Sequence, residues 1–339
     1  MSRFNSISRL GAVLSLAAIF VVASGSPALA QYTQTTLDTT TQDTHLVNAW
    51  GLAYLGTGPF WVSDAGTGFS TVYDANGTIV PLVVTVPPAG TRGKGSPAGL
   101  VANSTTGFVI TQNAVSGPAS FIFDTLDGTI SGWNATVNAT SAVVVVNNHA
   151  TANYQGLTIA TVGGKTFLYA ANVATNKIEQ YNSSFKLVRS FGDSSLTGLK
   201  VYGVQAIKGK IYVTFKGASG AAVDVFSPAG KLLTKLISNG SSGPLVSPWG
   251  VALAPSTFGT LSNALLVGNV DQGIINAFNA TTGAFIGTLN DTNGLAITNP
   301  GLWGMVFGGG STSNGNTNQL FISAGTSNYK TGLFAVINP

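Results

Sequence analysis

The sequence predicts an all-β fold, a six-bladed β-propeller of four-stranded blades whose ring is closed by the N-terminal strand. Three observations predict it. A glycine-centred motif recurs six times, short apolar runs separated by turn residues fill each repeat, and 43 Gly with only 8% charged residues mark many tight turns and an uncharged polar surface. No helical period survives beyond the first thirty residues.

Those thirty residues read as a secretory signal peptide. Arg3 and Arg9 form a basic start, Leu10 to Ala23 is an apolar run without a charge, and Ala28-Leu29-Ala30 supplies a small-x-small cleavage site. The run is shorter than the roughly 20 residues of a spanning helix, and no second apolar stretch of that length follows. Residues 1–30 are therefore expected to leave, residues 31–339 to form one propeller domain, and the mature protein to be secreted or periplasmic, a likeness to a membrane span ending with cleavage. Loss of Arg3 and Arg9 leaves 13 basic and 11 acidic residues, so the net charge falls from +4 to +2. With no Cys, a large core must hold the fold without disulfides.

The motif glycines stand in Trp50-Gly51-Leu52, Ala98-Gly99-Leu100, Gln155-Gly156-Leu157, Tyr202-Gly203-Val204, Trp249-Gly250-Val251 and Trp303-Gly304-Met305, at spacings of 48, 57, 47, 47 and 54 residues. Periods of about 40–50 residues with strand-like content mark propeller blades. Ahead of the first motif, Tyr32 to Leu37 alternates and has no partner of its own. Unit one continues with Phe60 to Ser63, Val72-Tyr73 and Leu82 to Val86. Unit two has Val109-Ile110-Thr111, then Phe121-Ile122-Phe123 as an extra or extended strand that accounts for the long spacing, then Gly132-Trp133 and Val143 to Val146. Units three, four and five repeat the plan at Phe167 to Ala170, Ile211 to Thr214 and Leu265 to Gly268, each followed by an aromatic-ended run and a fourth run. Unit six has Leu320 to Ser323 and ends at Ile337 with three strands, so Tyr32 to Leu37 is expected to supply the fourth and remove the open edge.

The stretch Val173-Ala174-Thr175-Asn176-Lys177-Ile178-Glu179-Gln180-Tyr181 resembles an NHL-type blade. Nearly the whole mature chain resembles an uncharacterised family of exported bacterial proteins, some of which carry a C-terminal PEP-CTERM sorting tail. The likeness is carried by Leu46-Val47-Asn48-Ala49-Trp50-Gly51-Leu52-Ala53, Gly58-Pro59-Phe60-Trp61-Val62-Ser63-Asp64, Asp127-Gly128-Thr129-Ile130-Ser131-Gly132-Trp133-Asn134, Ser247-Pro248-Trp249-Gly250 and Gly301-Leu302-Trp303-Gly304. This chain stops at Asn338-Pro339 without the apolar tail of those members. The resemblance implies a propeller and no assigned activity.

Candidate chemistry is sparse. The second runs of four units end on Asp64, Asn113, Asn172 and Asn269, with Phe215 and Ala324 at the matching places of the others. Were these ends near the axis, their oxygens could hold Ca²⁺, as in a metal-dependent hydrolase of the lactonase kind. The competing reading is that each bonds the backbone of its own turn. One Glu and ten scattered Asp supply no readable carboxylate pair, His45 and His149 read as loop residues, and no Gly-x-Ser-x-Gly elbow occurs. Arg92-Gly93-Lys94-Gly95-Ser96-Pro97 reads as a connector, since neither Ser nor Thr follows the lysine.

Charge is distributed unevenly. From Lys165 to Lys235 there are ten basic residues against Glu179, Asp193 and Asp224, whereas the rest of the mature chain has three basic and eight acidic. Lys186, Arg189, Lys231 and Lys235 fall on or beside outermost strands, either as edge lysines that block strand pairing or as a patch for acidic polysaccharide. Trp50, Trp249 and Trp303 precede the repeat glycine and read as core aromatics between blades rather than as exposed sugar-stacking rings. The functional expectation is an extracytoplasmic, monomeric, non-catalytic binding or scaffold propeller for an envelope polysaccharide or protein. The channel hydrolase is the alternative, and no nucleic-acid partner is expected.

Overall fold

Six four-stranded blades radiate from a common axis in the computed structural model, which describes residues 1–2 and 31–339, and the short strand Asn290–Asp291 adds to the sheet of the sixth. The signal-peptide reading, with Arg3, Arg9 and the apolar run, lies outside the described residues. The innermost strands are Ala49–Tyr54, Pro97–Ala102, Tyr154–Val162, Lys200–Ile207, Pro248–Leu253 and Leu302–Phe307, and each neighbours the next around the ring. Blades 1, 3, 4 and 5 run outward in simple sequence order. Hydrophobic cores fill the wedges between blades, as where Trp61 of blade 1 stacks on Phe121 of blade 2 at 4.2 Å between ring centroids.

Ring closure follows the sequence expectation. Gln31–Thr39 pairs antiparallel with Leu333–Asn338, from Thr33 opposite Asn338 to Thr39 opposite Leu333, and so becomes the fourth strand of blade 6. Its first two residues also pair in parallel with Asn290 and Asp291, at the end of blade 5. Buried Tyr32 packs on Phe258 and donates its hydroxyl to the Phe258 carbonyl at 2.9 Å, fastening the strand to the loops of blade 5.

Blade 2 departs from the expectation. Phe121–Thr125, read above as an addition, is the blade's second strand, followed by Thr129–Trp133 and Val143–Asn147. The insertion is instead the hairpin Val109–Gln112 with Val115–Pro118, which forms a two-stranded sheet of its own. The physical reason is apolar content. Phe121, Ile122 and Phe123 are all buried, whereas Val109 and Val115 are half exposed, so only the former run can sit between two neighbours in a sheet. In blade 1 the fourth strand shrinks from Leu82 to Val86 to the pair Val84–Thr85, because Pro81, Pro87 and Pro88 offer no ladder N–H on either side.

The repeat glycine has a common cause in all six blades. Each innermost strand carries a β-bulge there: Trp50 and Gly51 together oppose Ser63, Ala98 and Gly99 oppose Asp124, and Trp303 and Gly304 oppose Ser323, with the same shift in the other three. At this level the strands crowd the axis. A Cβ on Gly99 would stand 2.3 Å from the Leu157 nitrogen, and one on Gly203 2.2 Å from the Trp249 carbonyl oxygen. At five of the six, glycine is required for that close approach, not for an unusual φ, while at Gly156 the nearest neighbour is 3.3 Å away. The amide freed by the bulge is taken by the opposing side chain where it can reach, as from Gly203 to Thr214 Oγ1 at 2.8 Å and from Gly304 to Ser323 Oγ at 3.0 Å.

Candidate functional site

The bulge turns the residue before each glycine towards one mouth of the channel, where Trp50, Ala98, Gln155, Tyr202, Trp249 and Trp303 meet around the axis. Trp50 and Trp303 stack at 3.5 Å between centroids with 17° between their planes. Trp249 stands edge-on to both, and Tyr202 edge-on to Trp303 at 5.9 Å. Trp50 and Trp303 are thus buried and Trp249 half-buried, packed against one another across the axis rather than between blades. Two ring nitrogens are bonded, Trp50 Nε1 to Asn48 Oδ1 at 3.0 Å and Trp249 Nε1 to the Gln155 carbonyl at 2.5 Å. Trp303 Nε1 has no hydrogen-bond partner among the described residues.

Above this aromatic floor lies a cavity of 660 Å³, a size suited to a small organic ligand. Its walls are largely apolar, with Leu126, Val173, Val201 and Val246 beside the rings. Its polar groups are those of Asn48, Gln155, Lys200, Lys216 and Asp271, with the hydroxyls of Tyr202 and Tyr329. Tyr329 reaches the cavity by a costly route. Ser327, Asn328 and Tyr329 all have left-handed backbone, at φ of 52°, 56° and 65°. Such positions persist only when their surroundings hold them, and they gather at functional sites. Here a Thr326–Thr331 hydroxyl bond closes the turn and Thr331 receives the Asn48 amide. The result places the Tyr329 ring 5.9 Å from Trp303.

Lys216 is the unusual charge. Its Nζ sits 3.7 Å from the centre of the Tyr202 ring, and the side chain is half buried. Burial pulls its pKa below the ordinary lysine value, and the Asp271 carboxylate opposes that pull. Among the described residues no carboxylate lies within ion-pair distance of it.

Below the floor the channel narrows to 40 Å³, lined by Gly51, Gly250, Gly304, Gln205 and apolar side chains, and reopens at the far mouth as a basin of 310 Å³. Asp124 is buried at this waist. Its Oδ1 accepts the Gly99 amide, its Oδ2 has no partner among the described residues, and burial pushes its pKa up to about 7 while the nearby Gly99 and Gly156 amides pull it down.

The four proposed Ca²⁺ ligands do not form one cluster. Register places Asp64, Thr125, Asn172, Phe215, Asn269 and Ala324 at equivalent strand ends, so the position assigned to Asn113 belongs to Thr125. Asn113 is exposed at the tip of the inserted hairpin with φ of 50°. The other three are held locally. Asp64 Oδ2 accepts from Thr71, and burial raises its pKa well above the usual range. Asn172 accepts from the amides of Asn153, Ala174 and Thr175 and donates to Glu179. Asn269 accepts from the Val246 amide and donates to the Pro244 carbonyl. Among the described residues no three His, Cys, Asp or Glu side chains gather in a metal-binding arrangement.

Lys186, Arg189, Lys231 and Lys235 are all exposed on or beside the outer edges of blades 3 and 4. Two of them bridge the blades: Arg189 donates to the Ala229 carbonyl, and Lys235 pairs with Asp193 at 3.2 Å. His45, read as a plain loop residue, is bonded through Nδ1 to Asp43 at 2.9 Å, and Asp43 in turn accepts from Tyr73. Sequence reading missed Tyr202, Lys216, Asp271 and Tyr329. The residue before each repeat glycine was the available signal for Tyr202, and none marked the rest.

No family model matches the chain. It is similar to uncharacterized proteins of Acanthamoeba polyphaga mimivirus. One is 26% identical over 285 residues, covering 78% of this chain and 69% of that protein. A second is 25% identical over 286 residues, covering 78% and 74%, and a third is 27% identical over 219 residues, covering 58% of this chain and 40% of its own length. Among solved structures it is similar to a streptogramin B lyase, with a TM-score of 0.57, 10% identity and coverage of 92% of this chain and 99% of that one. It is also similar to the PQQ-bound aldose sugar dehydrogenase of Streptomyces coelicolor, with a TM-score of 0.55, 12% identity and coverage of 91% and 99%. At these identities the likeness shows the fold alone. No helix among the described residues is long and apolar enough to cross a membrane.

Proposed function

We propose that this chain is an exported, non-catalytic binding propeller that holds a small organic ligand in its axial cavity. The observation that carries the reading is the cavity of 660 Å³ over the stacked Trp50–Trp303 pair, with Tyr329 held beside it by a strained turn. Fixed aromatic rings with few polar groups form the usual composition of a ligand site. Export rests on the basic and apolar character of residues 1–30 and on the resemblance to exported bacterial proteins. The channel-hydrolase reading has less support, since Asn113 lies on an outer hairpin and Asp64, Asn172 and Asn269 each bond within their own blade or its adjoining loop.

Tryptophan emission tests the reading. Trp50 and Trp303 line the cavity and Trp249 adjoins it, while Trp61 and Trp133 lie in the wedge between blades 1 and 2. In a screen of small organic compounds, any that raises the melting temperature should also change the emission, equally in wild type and in Trp61→Phe. If every stabilising compound leaves the emission unchanged, the ligand site is elsewhere and the proposal fails.

A further inference from the structure

Resting on that reading, the geometry points to an aromatic carboxylate as the ligand class of the axial cavity, with its carboxylate seated between Lys216 and Lys200 and its ring on the aromatic floor. The first observation is a departure from the repeat. The residue that follows the equivalent strand end is Ala65, Leu126, Val173, Val270 and Gly325 in the other five blades, and Lys216 in blade 4. A propeller does not need a cation at this place, since five blades do without one.

The second observation is that Lys216 is directly opposite Lys200 in the ladder between the first two strands of blade 4, and both line the cavity. Like charges directly opposite one another on paired strands are destabilising. Asp271 is the one acidic residue on the cavity wall, so the lining carries an excess of one positive charge. Asp271 is also beyond ion-pair distance of either lysine. The Tyr202 ring holds the Lys216 ammonium in place by cation–π attraction, and the ring is neutral, so the charge is positioned without being cancelled. A half-buried ammonium facing apolar walls is costly to leave unpaired, and an arriving anion relieves both that cost and the repulsion from Lys200. Burial also holds the Lys216 pKa below the ordinary value, and a bound anion would raise it again.

The rest of the cavity decides what body carries the anion. A sugar acid presents a hydroxyl on nearly every carbon and needs a matching set of donors and acceptors. Asn48, Gln155, Asp271 and the tyrosine hydroxyls could serve part of that set, but the stretch formed by Leu126, Val173, Val201 and Val246 beside the Trp50 and Trp303 rings offers none. A planar aromatic body is matched by these walls and by the rings of Tyr202 and Tyr329. The aromatic acid is therefore favoured over the uronic acid of an envelope polysaccharide.

Calorimetric titration of the mature protein with three probes tests this: 2-naphthoate, its neutral relative 2-naphthalenemethanol, and galacturonate. Wild type should bind 2-naphthoate at least about tenfold more tightly than the alcohol, and Lys216→Met should bring the two to within about twofold, mainly by weakening the acid. Tyr202 remains in that variant, so the alcohol serves as the control that the cavity is intact. Equal binding of acid and alcohol by wild type would overturn the anion assignment and leave the cavity reading standing. Binding of galacturonate without 2-naphthoate would overturn the aromatic assignment and again keep the cavity. Failure of all three to bind would overturn the inference, while the broader screen by tryptophan emission decides the cavity reading separately.

Discussion

The two mouths of the axial channel are built by the same six strands and share almost nothing else. Where those strands begin, Trp50, Tyr202 and Trp303 floor a cavity of 660 Å³ that also takes in Lys200, Lys216 and Asp271. Where the strands run on past the glycine, residues such as Leu52, Leu100, Leu157 and Met305 line a basin of 310 Å³ with no Lys, Arg, Asp or Glu among its lining residues. The divide is the bulge. Past it the inner strands pair regularly with their neighbours, and residues such as Leu52, Leu100 and Leu157 are held by packing. Before it one extra residue per blade is released from the ladder, and its identity varies from Trp to Ala to Gln. The fold constrains one mouth and leaves the other free to be specified.

Three perturbations sharpen that contrast. The largest effect should come from removing Tyr32 through Leu37 from the mature chain. This takes the fourth strand from blade 6, which supplies Trp303 to one mouth and Met305 to the other, so both should be lost together. A loss of more than about 4 kcal/mol is expected, with aggregation through the bared edge, as read by chemical denaturation and elution profile. An unchanged melt and a monomeric peak would show that closure does not depend on this strand.

Next should be Gly203→Ala at the waist, where the new Cβ would meet the Trp249 carbonyl oxygen at 2.2 Å. A loss of about 3 kcal/mol or more is expected, against under about 0.5 kcal/mol for Gly287→Ala, whose Cβ would meet nothing within 4 Å. Equal effects at the two sites would mean that the inner strands are not crowded at the axis.

The smallest of the three is a pH dependence set at the same waist. Burial, opposed by the Gly99 and Gly156 amides, raises the Asp124 pKa to about 7 from an ordinary 3.8. The folded protein therefore keeps a proton that the unfolded chain releases, and its contribution is fully present below about pH 4 and is lost as pH rises to about 7. Asp224 is also raised to about 7, and Asp64 is held well above the usual range, both chiefly by burial, so they contribute with the same sign. Stability should fall between those limits by about 1–3 kcal/mol for each of Asp124 and Asp224, and Asp124→Asn should remove its own share and leave a reduced slope. A variant that keeps the full wild-type slope would place the titration elsewhere.

Much of the architecture was legible because it is written in residue types that the fold demands. The six glycines mark the crowded axis, and the unpaired alternation of Tyr32 to Leu37 matched a sixth unit one strand short. Blade 2 was misread because Val109-Ile110-Thr111 and Phe121-Ile122-Phe123 are both short β-prone runs, and only burial between sheets separates them. That error displaced the strand end from Thr125 to Asn113 and created an apparent ring of oxygen ligands. The site itself was hardly legible. Lys216 looks like any lysine in a basic stretch, and its meaning comes from the Tyr202 ring beneath it and Lys200 across from it. Tyr329 depends on three left-handed residues that nothing in the composition announces, since Ser, Asn and Tyr are ordinary loop residues.

The central claim is that the ligand enters the mouth where the inner strands begin, and a pair of blocking variants tests it directly. Val173→Trp would fill the aromatic cavity, and Ala102→Trp would fill the opposite basin. Affinity for 2-naphthoate should be measured by calorimetry on wild type and both variants, after a melt confirms that each is folded. Val173→Trp should lose at least about tenfold in affinity while Ala102→Trp stays within about twofold of wild type. The reverse pattern, with binding blocked only by Ala102→Trp, would contradict the account.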